Sequence, residues 1–277
     1  MFSKLASPLR SRSLLQSPCC QPIAHKLYEI FSKKEPIDHD PAHIKPGITK
    51  PNTLKSDEYI KSYKRLVDGN LKYVNAKKKI DPDYFKKLSQ VQAPKYFLIG
   101  CSDSRVPPNE LTNTEPGEIF IHRNIANQVK SCDFGCMSAL KYAVEFLRVE
   151  HIIVMGHTNC GGIIASNRSK SLGVIDYWLQ SIRDVALNHR EELKHIKNEK
   201  EFLLKLTEFN VKQQTLNVCK SSILQKAWGQ GREIRVSGWL CDIETGLIRD
   251  LDVAQHEWEA IKDIYGYDFE DNCEHKH

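Results

Sequence analysis

Unbroken apolar runs mark the strands of this 277-residue chain. Residues 96–100 (YFLIG) and 151–156 (HIIVMG) each end at a glycine, and EIFIH lies between them at 118–122. Continuous apolar runs of this length are typical of strands buried on both faces of a parallel sheet. We therefore predict three strands at these positions.

Apolar residues recur at helical spacing between the runs at 118–122 and 151–156. The apolar positions recur every three or four residues and are Phe134, Met137, Leu140, Val144 and Leu147. A strand, a helix and a strand in this order form a βαβ unit, which makes the two strands parallel and covers the sheet with a helix.

The second half of the chain extends the same scheme. Its pattern predicts helices around 162–168, 174–189 and 197–228, the last ending at the GQG of residues 229–231. A strand, a turn at 244–246 and another strand follow within 233–253. The fold class predicted for the whole chain is α/β, with a central, mostly parallel β-sheet flanked by helices.

A helical arm is predicted ahead of the first strand. Apolar residues recur at helical spacing within 56–78, and Ser56 with its following acidic residues is a typical helix start. Four of the twelve prolines lie in residues 35–55, which we interpret as a non-helical linker. We expect a catalytic domain at 56–270 and a polar tail at 271–277.

The first 34 residues have the composition of an organelle transit peptide. Four basic residues and five serines precede the first acidic residue, Glu29. A mitochondrial protein is the prediction, and a cytoplasmic protein with a disordered basic tail is the alternative. Because the charge of +5 becomes +1 when the +4 of this segment is subtracted, no basic excess is left to bind nucleic acid.

The rest of the composition fits a globular protein without a membrane insertion. The chain is 40% apolar and 27% charged, and its longest apolar runs fall far short of the roughly 20 residues that a membrane span needs. Nine cysteines at irregular spacing, without a CxxC pair, do not form the disulfide framework of a small secreted domain. A reducing compartment is expected.

Three potential metal ligands follow the predicted strands. Cys101 and His157 each come directly after a strand, and Cys160 follows His157 by three residues. Ligands of parallel sheets gather at the carboxyl ends of the strands, so these side chains converge if the two strands are neighbours. A Cys, His, Cys set with a vacant fourth place is typical of a catalytic zinc site, with one Zn²⁺ per chain. For each residue taken alone, core packing remains the alternative.

A carboxylate and a guanidinium accompany the first of these cysteines. Asp103 and Arg105 can form a charge-assisted pair that keeps the carboxylate ionised and oriented beside a zinc-bound water. A surface pair in a turn is the alternative. A nucleophilic Cys101 with His157 as its base is a competing chemistry, although the spacing does not match a phosphatase loop.

The motifs CSDSRVPPNELTNTEPGEIFIHRNIAN and GHTNCGG resemble those of the β-class carbonic anhydrases, over roughly 170 residues and most closely the bacterial-type members. The resemblance implies that Cys101, His157 and Cys160 bind zinc and that Asp103 and Arg105 form the catalytic dyad. It also implies the reversible hydration of carbon dioxide to bicarbonate and a proton, by attack of a zinc-bound hydroxide. The positions that it assigns to the lining or support of the substrate pocket are Gln92, Val106, Gly161 and residues 123–127.

The same resemblance raises a regulatory question. Some members close the site when the aspartate leaves its arginine and becomes the fourth zinc ligand, with bicarbonate held by a Trp, Arg and Tyr trio. Arg123 and Tyr142 match two positions of a bicarbonate site, but Leu98 stands at the third. We expect Asp103 to act as an alternative fourth ligand in a closed state. Because Leu98 replaces the third residue of the trio, the resemblance does not by itself predict regulation by bicarbonate.

Assembly and substrate also follow from the resemblance. The family builds its site across a dimer interface, so a homodimer or a higher homo-oligomer is expected. The helix at 58–77 could supply the arm, and the alternative is a helix packed on its own domain. Carbon disulfide or carbonyl sulfide hydrolysis remains an alternative at the same site, because both molecules are linear isosteres of carbon dioxide. A non-catalytic zinc-binding protein is an alternative of a different class.

Overall fold

The computed structural model describes residues 56–253 and 255–269. The predicted transit peptide, the linker and the polar tail lie outside the described residues, so their boundaries stay predictions. The chain divides between Val67 and Asp68 into two units, and helix α1 begins in the first unit and ends in the second. The sheet and all the other elements belong to the second unit.

Strands and helices alternate through the first three strands, and five consecutive helices separate the third strand from the fourth. The strands are β1 (Tyr96–Cys101), β2 (Ile119–Asn124), β3 (His151–His157), β4 (Arg235–Cys241) and β5 (Ile248–Asp250). The helices before β3 are α1 (Ser56–Ile80), α2 (Tyr84–Leu88), α3 (Pro108–Thr112) and α4 (Phe134–Lys141). The later helices are α5 (Gly161–Ser166), α6 (Ile175–Asn188), α7 (Arg190–Leu193), α8 (Glu199–Cys219), α9 (Ser222–Gly229), α10 (Gln255–Glu259) and α11 (Lys262–Tyr265).

The five strands form one mixed sheet in the order β2-β1-β3-β4-β5. The first three pairs are parallel, and only β4 and β5 pair in the antiparallel direction. The predicted α/β fold is thus confirmed. Because β1 and β3 are neighbours, the residues that end these two strands come together at one edge of the sheet.

The two faces of the sheet are covered differently. On one face Phe97, Ile99, Ile152 and Val154 pack against residues of α4, α8 and α9 in an apolar cluster. On the other face a smaller cluster around Leu98 is completed largely by other strand and loop residues. Alternate residues of each strand point to opposite faces, which explains why β1 and the interior of β3 have no polar side chains in alternation.

The second strand departs from the prediction. We expected all three apolar runs to be buried on both faces, yet most residues of β2 are only partly buried, whereas β1 and β3 are buried after their first residue. The reason is topological. Strand β2 lies at the edge of the sheet, so one of its sides has no neighbouring strand among the described residues.

Two predicted helices are also interrupted. The segment predicted as one helix over 197–228 is two, because Ser221 has an extended backbone and its hydroxyl accepts a hydrogen bond from the Leu224 N–H at the start of α9. After α4 the chain continues as a π-helical turn, Tyr142–Phe146. Phe134, assigned to the apolar stripe of α4, is 82% exposed because it lies at the first position of the helix.

Candidate metal centre

The three candidate ligands lie where two parallel strands end. Cys101 is the last residue of β1 and His157 the last residue of β3, while Cys160 directly precedes α5. Between His157 and Cys160 the chain turns through Asn159, whose φ of 55° lies in the left-handed region that asparagine tolerates better than most residues. This turn brings Cys160 back toward His157.

The ligand atoms form a compact, buried cluster. The two sulfur atoms are 3.9 Å apart, and all three candidate ligand atoms lie within 4.8 Å of one another. His157 Nδ1 lies 2.9 Å from the Thr158 carbonyl oxygen. Since a carbonyl oxygen only accepts, Nδ1–H donates this hydrogen bond and Nε2 presents a lone pair. That Nε2 atom is buried and has no hydrogen-bond partner among the described residues.

Two thiolates and an imidazole lone pair suit a soft divalent cation. A buried nitrogen without a partner is costly unless it has a ligand, and zinc accepts this donor set. Hydrogen bonding from Cys160 and the proximity of His157 lower the pKa of Cys101 to about 4, while the neighbouring Cys101 and burial raise the pKa of Cys160. A metal ion binds these sulfurs as thiolates, so zinc binding releases any proton that they hold.

The predicted dyad is formed beside this cluster. Arg105 Nε donates to Asp103 Oδ1 at 2.9 Å, and its Nη2 donates to Asp103 Oδ2 at 2.7 Å. The same Nη2 donates to the Asn159 carbonyl oxygen at 3.1 Å, which ties the dyad to the turn before Cys160. Hydrogen bonding from Arg105 lowers the pKa of Asp103 to about 2, so the carboxylate is ionised at neutral pH.

Asp103 also faces the candidate ligands. Its Oδ2 atom lies 3.9 Å from His157 Nε2, the atom that lacks a hydrogen-bond partner among the described residues. Its side chain is 16% exposed, compared with 53% for Arg105. The carboxylate thus lies at the boundary between the buried cluster and solvent.

The structure does not assemble the bicarbonate site suggested for Arg123 and Tyr142. The guanidinium of Arg123 is occupied by three backbone carbonyls, donating to Cys101 O at 2.9 Å, to Asp103 O at 2.6 Å and to Val106 O at 3.1 Å. Arg123 shares a strand face with Ile121 of the Leu98 cluster, where Leu98 is fully buried. Tyr142 packs on Phe120 at the opposite face of the same strand, so the sheet separates it from Arg123.

The three pocket positions lie in different places. Val106 is 2% exposed within the Leu98 cluster, and Gly161 begins α5 next to Cys160. Gln92 is exposed and precedes β1, whereas Cys101 ends this strand. Gln92 therefore precedes the amino end of β1, whereas the cluster lies at the carboxyl end of this strand, roughly 20 Å further along it.

One hydrogen bond to the cluster was not predicted from the sequence, because its donor is a backbone group. The backbone N–H of Ala126 donates to Cys101 Sγ at 3.4 Å. The motif RNIAN contained this residue, but a hydrogen bond from the backbone leaves no mark in the side-chain chemistry. The sequence analysis also did not identify Asn210 and Gln214 of α8, which support this region from far along the sequence. The available signal was two amides one helical turn apart, in line with the buried Leu206 and Val218.

The fold and the cluster define a metalloprotein of the α/β class, with its metal site at the carboxyl ends of parallel strands. Residues 96–248 match the family described as carbonic anhydrase. A carbonic anhydrase of Emericella nidulans is 41% identical over 192 residues, which cover 69% of this chain and 84% of that protein. An Arabidopsis thaliana protein named beta carbonic anhydrase 6, mitochondrial, is 30% identical and covers 72% of this chain and 68% of its own length.

Solved structures agree with the sequence relatives. One of two tetrameric β-carbonic anhydrases from Sordaria macrospora superposes with a TM-score of 0.67 at 34% identity, covering 69% of this chain and 97% of that one. The chain belongs to the β-class carbonic anhydrase family. It is an enzyme of that class, and its cofactor is zinc, to which the Cys-His-Cys cluster is suited.

Proposed function

We propose that Cys101, His157 and Cys160 hold one Zn²⁺ per chain and that this site hydrates carbon dioxide reversibly to bicarbonate and a proton. The observation that carries the proposal is the Nε2 atom of His157, which has no hydrogen-bond partner among the residues that the structure describes. It lies within 4.8 Å of two cysteine sulfurs and 3.9 Å from the Asp103 carboxylate. Three protein ligands leave one place for water.

Bound zinc supplies a Lewis acid that lowers the pKa of the water it holds toward neutrality. The protein supplies the orientation. Asp103, kept ionised by Arg105, accepts the hydrogen bond of the attacking water and so directs the water's free lone pair toward the carbon of carbon dioxide. Since two thiolates cancel the charge of Zn²⁺, this orientation carries more of the catalysis than it would beside three neutral histidines.

Two alternatives share the metal site. Carbon disulfide and carbonyl sulfide have the linear shape of carbon dioxide, and hydrolysis of either would use the same ligands and the same carboxylate. A non-catalytic zinc protein would need the three ligands but not the oriented carboxylate. The three hydrogen bonds that fix Asp103 to Arg105, one of them from the Arg105 backbone N–H at 3.0 Å, therefore favour an enzyme.

Asp103 is also proposed as the fourth ligand of a closed form of the site. Its carboxylate lies next to the cluster, and the Arg105 contacts hold it in its present orientation. Breaking that pair would free an oxygen for the place that water takes in the open form. An X-ray absorption spectrum of the zinc that is the same at mildly acidic and alkaline pH would contradict this closed form.

We propose a homodimer or a higher homo-oligomer, supported by the tetrameric Sordaria relatives. Helix α1 exposes apolar side chains, among them Tyr59, Tyr63 and Leu71, each more than half exposed, and this face suits an arm packed on a second copy. Gln92 precedes the amino end of β1, whereas the cluster lies at its carboxyl end, so we propose that Gln92 lines the pocket of a second copy rather than that of its own chain. A monomer in light scattering would reject this assembly.

A mitochondrial location is proposed from the composition of residues 1–34, and the mitochondrial Arabidopsis relative supports it. The alternative is cytoplasmic. Microscopy of the full chain fused to a fluorescent protein at its C-terminus, compared with a fusion that begins at residue 35, tests the proposal. Loss of mitochondrial signal on truncation supports it, and an unchanged diffuse signal contradicts it.

The decisive experiment is stopped-flow carbon dioxide hydration by the full chain, purified under reducing conditions with its zinc counted. We expect one zinc per chain and rapid hydration. Zinc at one per chain without hydration would instead favour carbon disulfide or carbonyl sulfide as substrate, or a binding role, and these two substrates are then assayed directly.

A further inference from the structure

A strained turn lies against the first candidate ligand. Residues 124–128, here called the Ala126 turn, begin at the last residue of β2. Ala126 has a φ of 60° and Asn127 a φ of 48°, so two consecutive non-glycine residues occupy the left-handed region. Backbone strain of this kind persists only where surrounding contacts enforce it, and it is concentrated at functional sites.

The strained conformation aims a donor at sulfur. It directs the Ala126 N–H toward Cys101 Sγ, at 3.4 Å. The turn also packs against the start of α5, next to Cys160, where a Cβ on Gly162 would come within 3.0 Å of the Ala126 Cβ. Contacts with Cys101 and with the start of α5 thus fix the position of the turn where it faces the metal cluster.

Buried amides hold the turn from its other side. The Ala126 carbonyl oxygen accepts hydrogen bonds from Gln128 Nε2 at 2.8 Å and from Asn210 Nδ2 at 3.2 Å. Gln128 Nε2 also donates to Asn210 Oδ1 at 2.8 Å. Both side chains are 0% exposed. Asn210 thus binds the carbonyl of the same residue whose N–H reaches the cysteine.

A second amide of α8 continues this network. Gln214, one helical turn after Asn210, donates to Asn210 Oδ1 at 3.2 Å and accepts from the Val129 N–H at 2.9 Å. Buried amides cost free energy unless every polar atom finds a partner, so apolar side chains would serve helix packing better at these positions. Their presence indicates a requirement of the backbone that they bind.

We infer that Asn210 is a positioning residue for the metal site: it holds the Ala126 turn in its left-handed conformation, so that the Ala126 N–H donates to the Cys101 thiolate. The inference rests on the proposed zinc ligands. A hydrogen bond to a ligating sulfur withdraws electron density from it, leaves more positive charge on the metal, and stabilises the thiolate against protonation. It thereby offsets part of the charge that two thiolates contribute.

The test compares Asn210→Leu with Thr215→Val in the full chain. Thr215 is equally buried on α8, but its hydroxyl donates to Val211 O within the helix, so its variant loses a core hydrogen bond without touching the turn. Zinc affinity is measured by competition with a chelator, and the thiolate-to-metal absorption band is recorded after Co²⁺ substitution. We expect Asn210→Leu to weaken zinc binding about 10- to 100-fold and to move the band to longer wavelength, with both readouts unchanged in Thr215→Val.

A second substitution separates positioning from general stability. Because glycine adopts a positive φ without strain, Ala126→Gly combined with Asn210→Leu should recover much of the zinc affinity lost in Asn210→Leu alone. If Asn210→Leu does not fold, Gln128→Met removes the other donor to the Ala126 carbonyl and should shift the Co²⁺ band in the same direction.

The outcomes are distinguishable from failure of the proposed function. If the unsubstituted chain binds no zinc, the ligand assignment itself fails. If it binds zinc, and Asn210→Leu has the same affinity and Co²⁺ band, the positioning role is overturned. Loss of affinity that glycine at position 126 does not restore, with an unshifted band, would also overturn it, because that pattern is expected of a purely structural residue.

Discussion

Two loops provide the groups of the metal centre, and their ligands are fixed in different ways. The first loop, residues 101–106, is held from outside: Arg123 binds three of its carbonyls, and the Ala126 N–H binds its cysteine. The second loop, residues 157–160, has its two ligands placed by adjacent residues, while its middle residues Thr158 and Asn159 are bonded to the end of β4 and to Arg105. The His157 ring binds the next carbonyl along the chain, and α5 begins directly after Cys160.

The difference matches what each loop carries. The second loop provides two ligands, and a short turn and a helix start place them directly. The first loop provides one ligand and the carboxylate that orients water, and orientation within a few tenths of an ångström needs contacts from several directions. We therefore expect substitutions around the first loop to affect catalysis more selectively than those around the second loop.

The largest effect should come from removing a ligand. Cys160→Ala deletes a thiolate of the second loop, so zinc affinity should fall more than about 100-fold, beyond the range of outer contacts, and hydration should fall to background. Cys136→Ala is the matched control, because Cys136 is fully buried in another apolar cluster. Zinc content and stopped-flow hydration are measured for both. A Cys160→Ala protein with one tightly bound zinc would contradict the ligand assignment.

Asp103→Asn should separate catalysis from metal binding. The amide keeps the shape of the carboxylate but loses its charge, so we expect hydration to fall about 10²- to 10⁴-fold while zinc remains at one per chain. Asp81→Asn breaks an exposed aspartate-lysine pair with Lys87 and serves as the control. Unchanged hydration in Asp103→Asn would remove this carboxylate from the mechanism.

Arg123→Leu tests whether the first loop needs its external support. Losing three hydrogen bonds to loop carbonyls should lower kcat about 10- to 100-fold with a smaller loss of zinc affinity. Arg232→Leu is a close control, since Arg232 likewise binds backbone carbonyls, Val144 O and Val149 O. These lie in the connection from α4 to the amino end of β3, away from the metal centre at its carboxyl end. Equal losses in both variants would show a general effect on stability.

Acid should weaken the dyad in a defined window. The pKa of Asp103 is lowered from an ordinary value of 3.8 to about 2 by Arg105, so the pair contributes stability above pH 3.8, and this contribution is lost as the pH falls toward 2. The difference in unfolding free energy between the unsubstituted chain and Asp103→Asn should therefore be constant above about pH 5 and decrease as the pH falls toward 2. Urea unfolding at several pH values measures it. A difference independent of pH would contradict the ion pair.

The smallest effect is expected from a side-chain contact between the second loop and the end of β4. Thr158 Oγ1 donates to Asp242 Oδ1 at 3.0 Å and accepts from the Ile243 N–H. Thr158→Val should cost about 1 kcal/mol, or a Tm decrease of roughly 2–4 °C, with kcat nearly unchanged. The Thr158 carbonyl that orients His157 belongs to the backbone and stays in place. A loss of kcat in Thr158→Val as large as that in Arg123→Leu would contradict the expected difference between the two loops.

Local patterns in the sequence were enough to predict the parallel strands and the candidate ligands. Continuous apolar runs ending at glycine predict β1 and β3, because both faces of these strands must be buried. Cys101 and His157 follow those runs directly, so both are predicted at the carboxyl ends of strands, and the order of the strands in the folded sheet makes them neighbours. The close spacing of Cys160, Asp103 and Arg105 to these two residues supplies the remaining chemistry.

The distant residues that support the centre became visible only in the folded chain. The side chain of Arg123 alone does not reveal whether it binds an anion or loop carbonyls, and the sheet, by placing Tyr142 on the opposite face, settled that these two do not meet. Asn210 lies 84 residues after Ala126, and the edge position of β2 depends on the order of all five strands. Such features arise from contacts between segments far apart in sequence, whereas local patterns record only how each residue is buried within its own element.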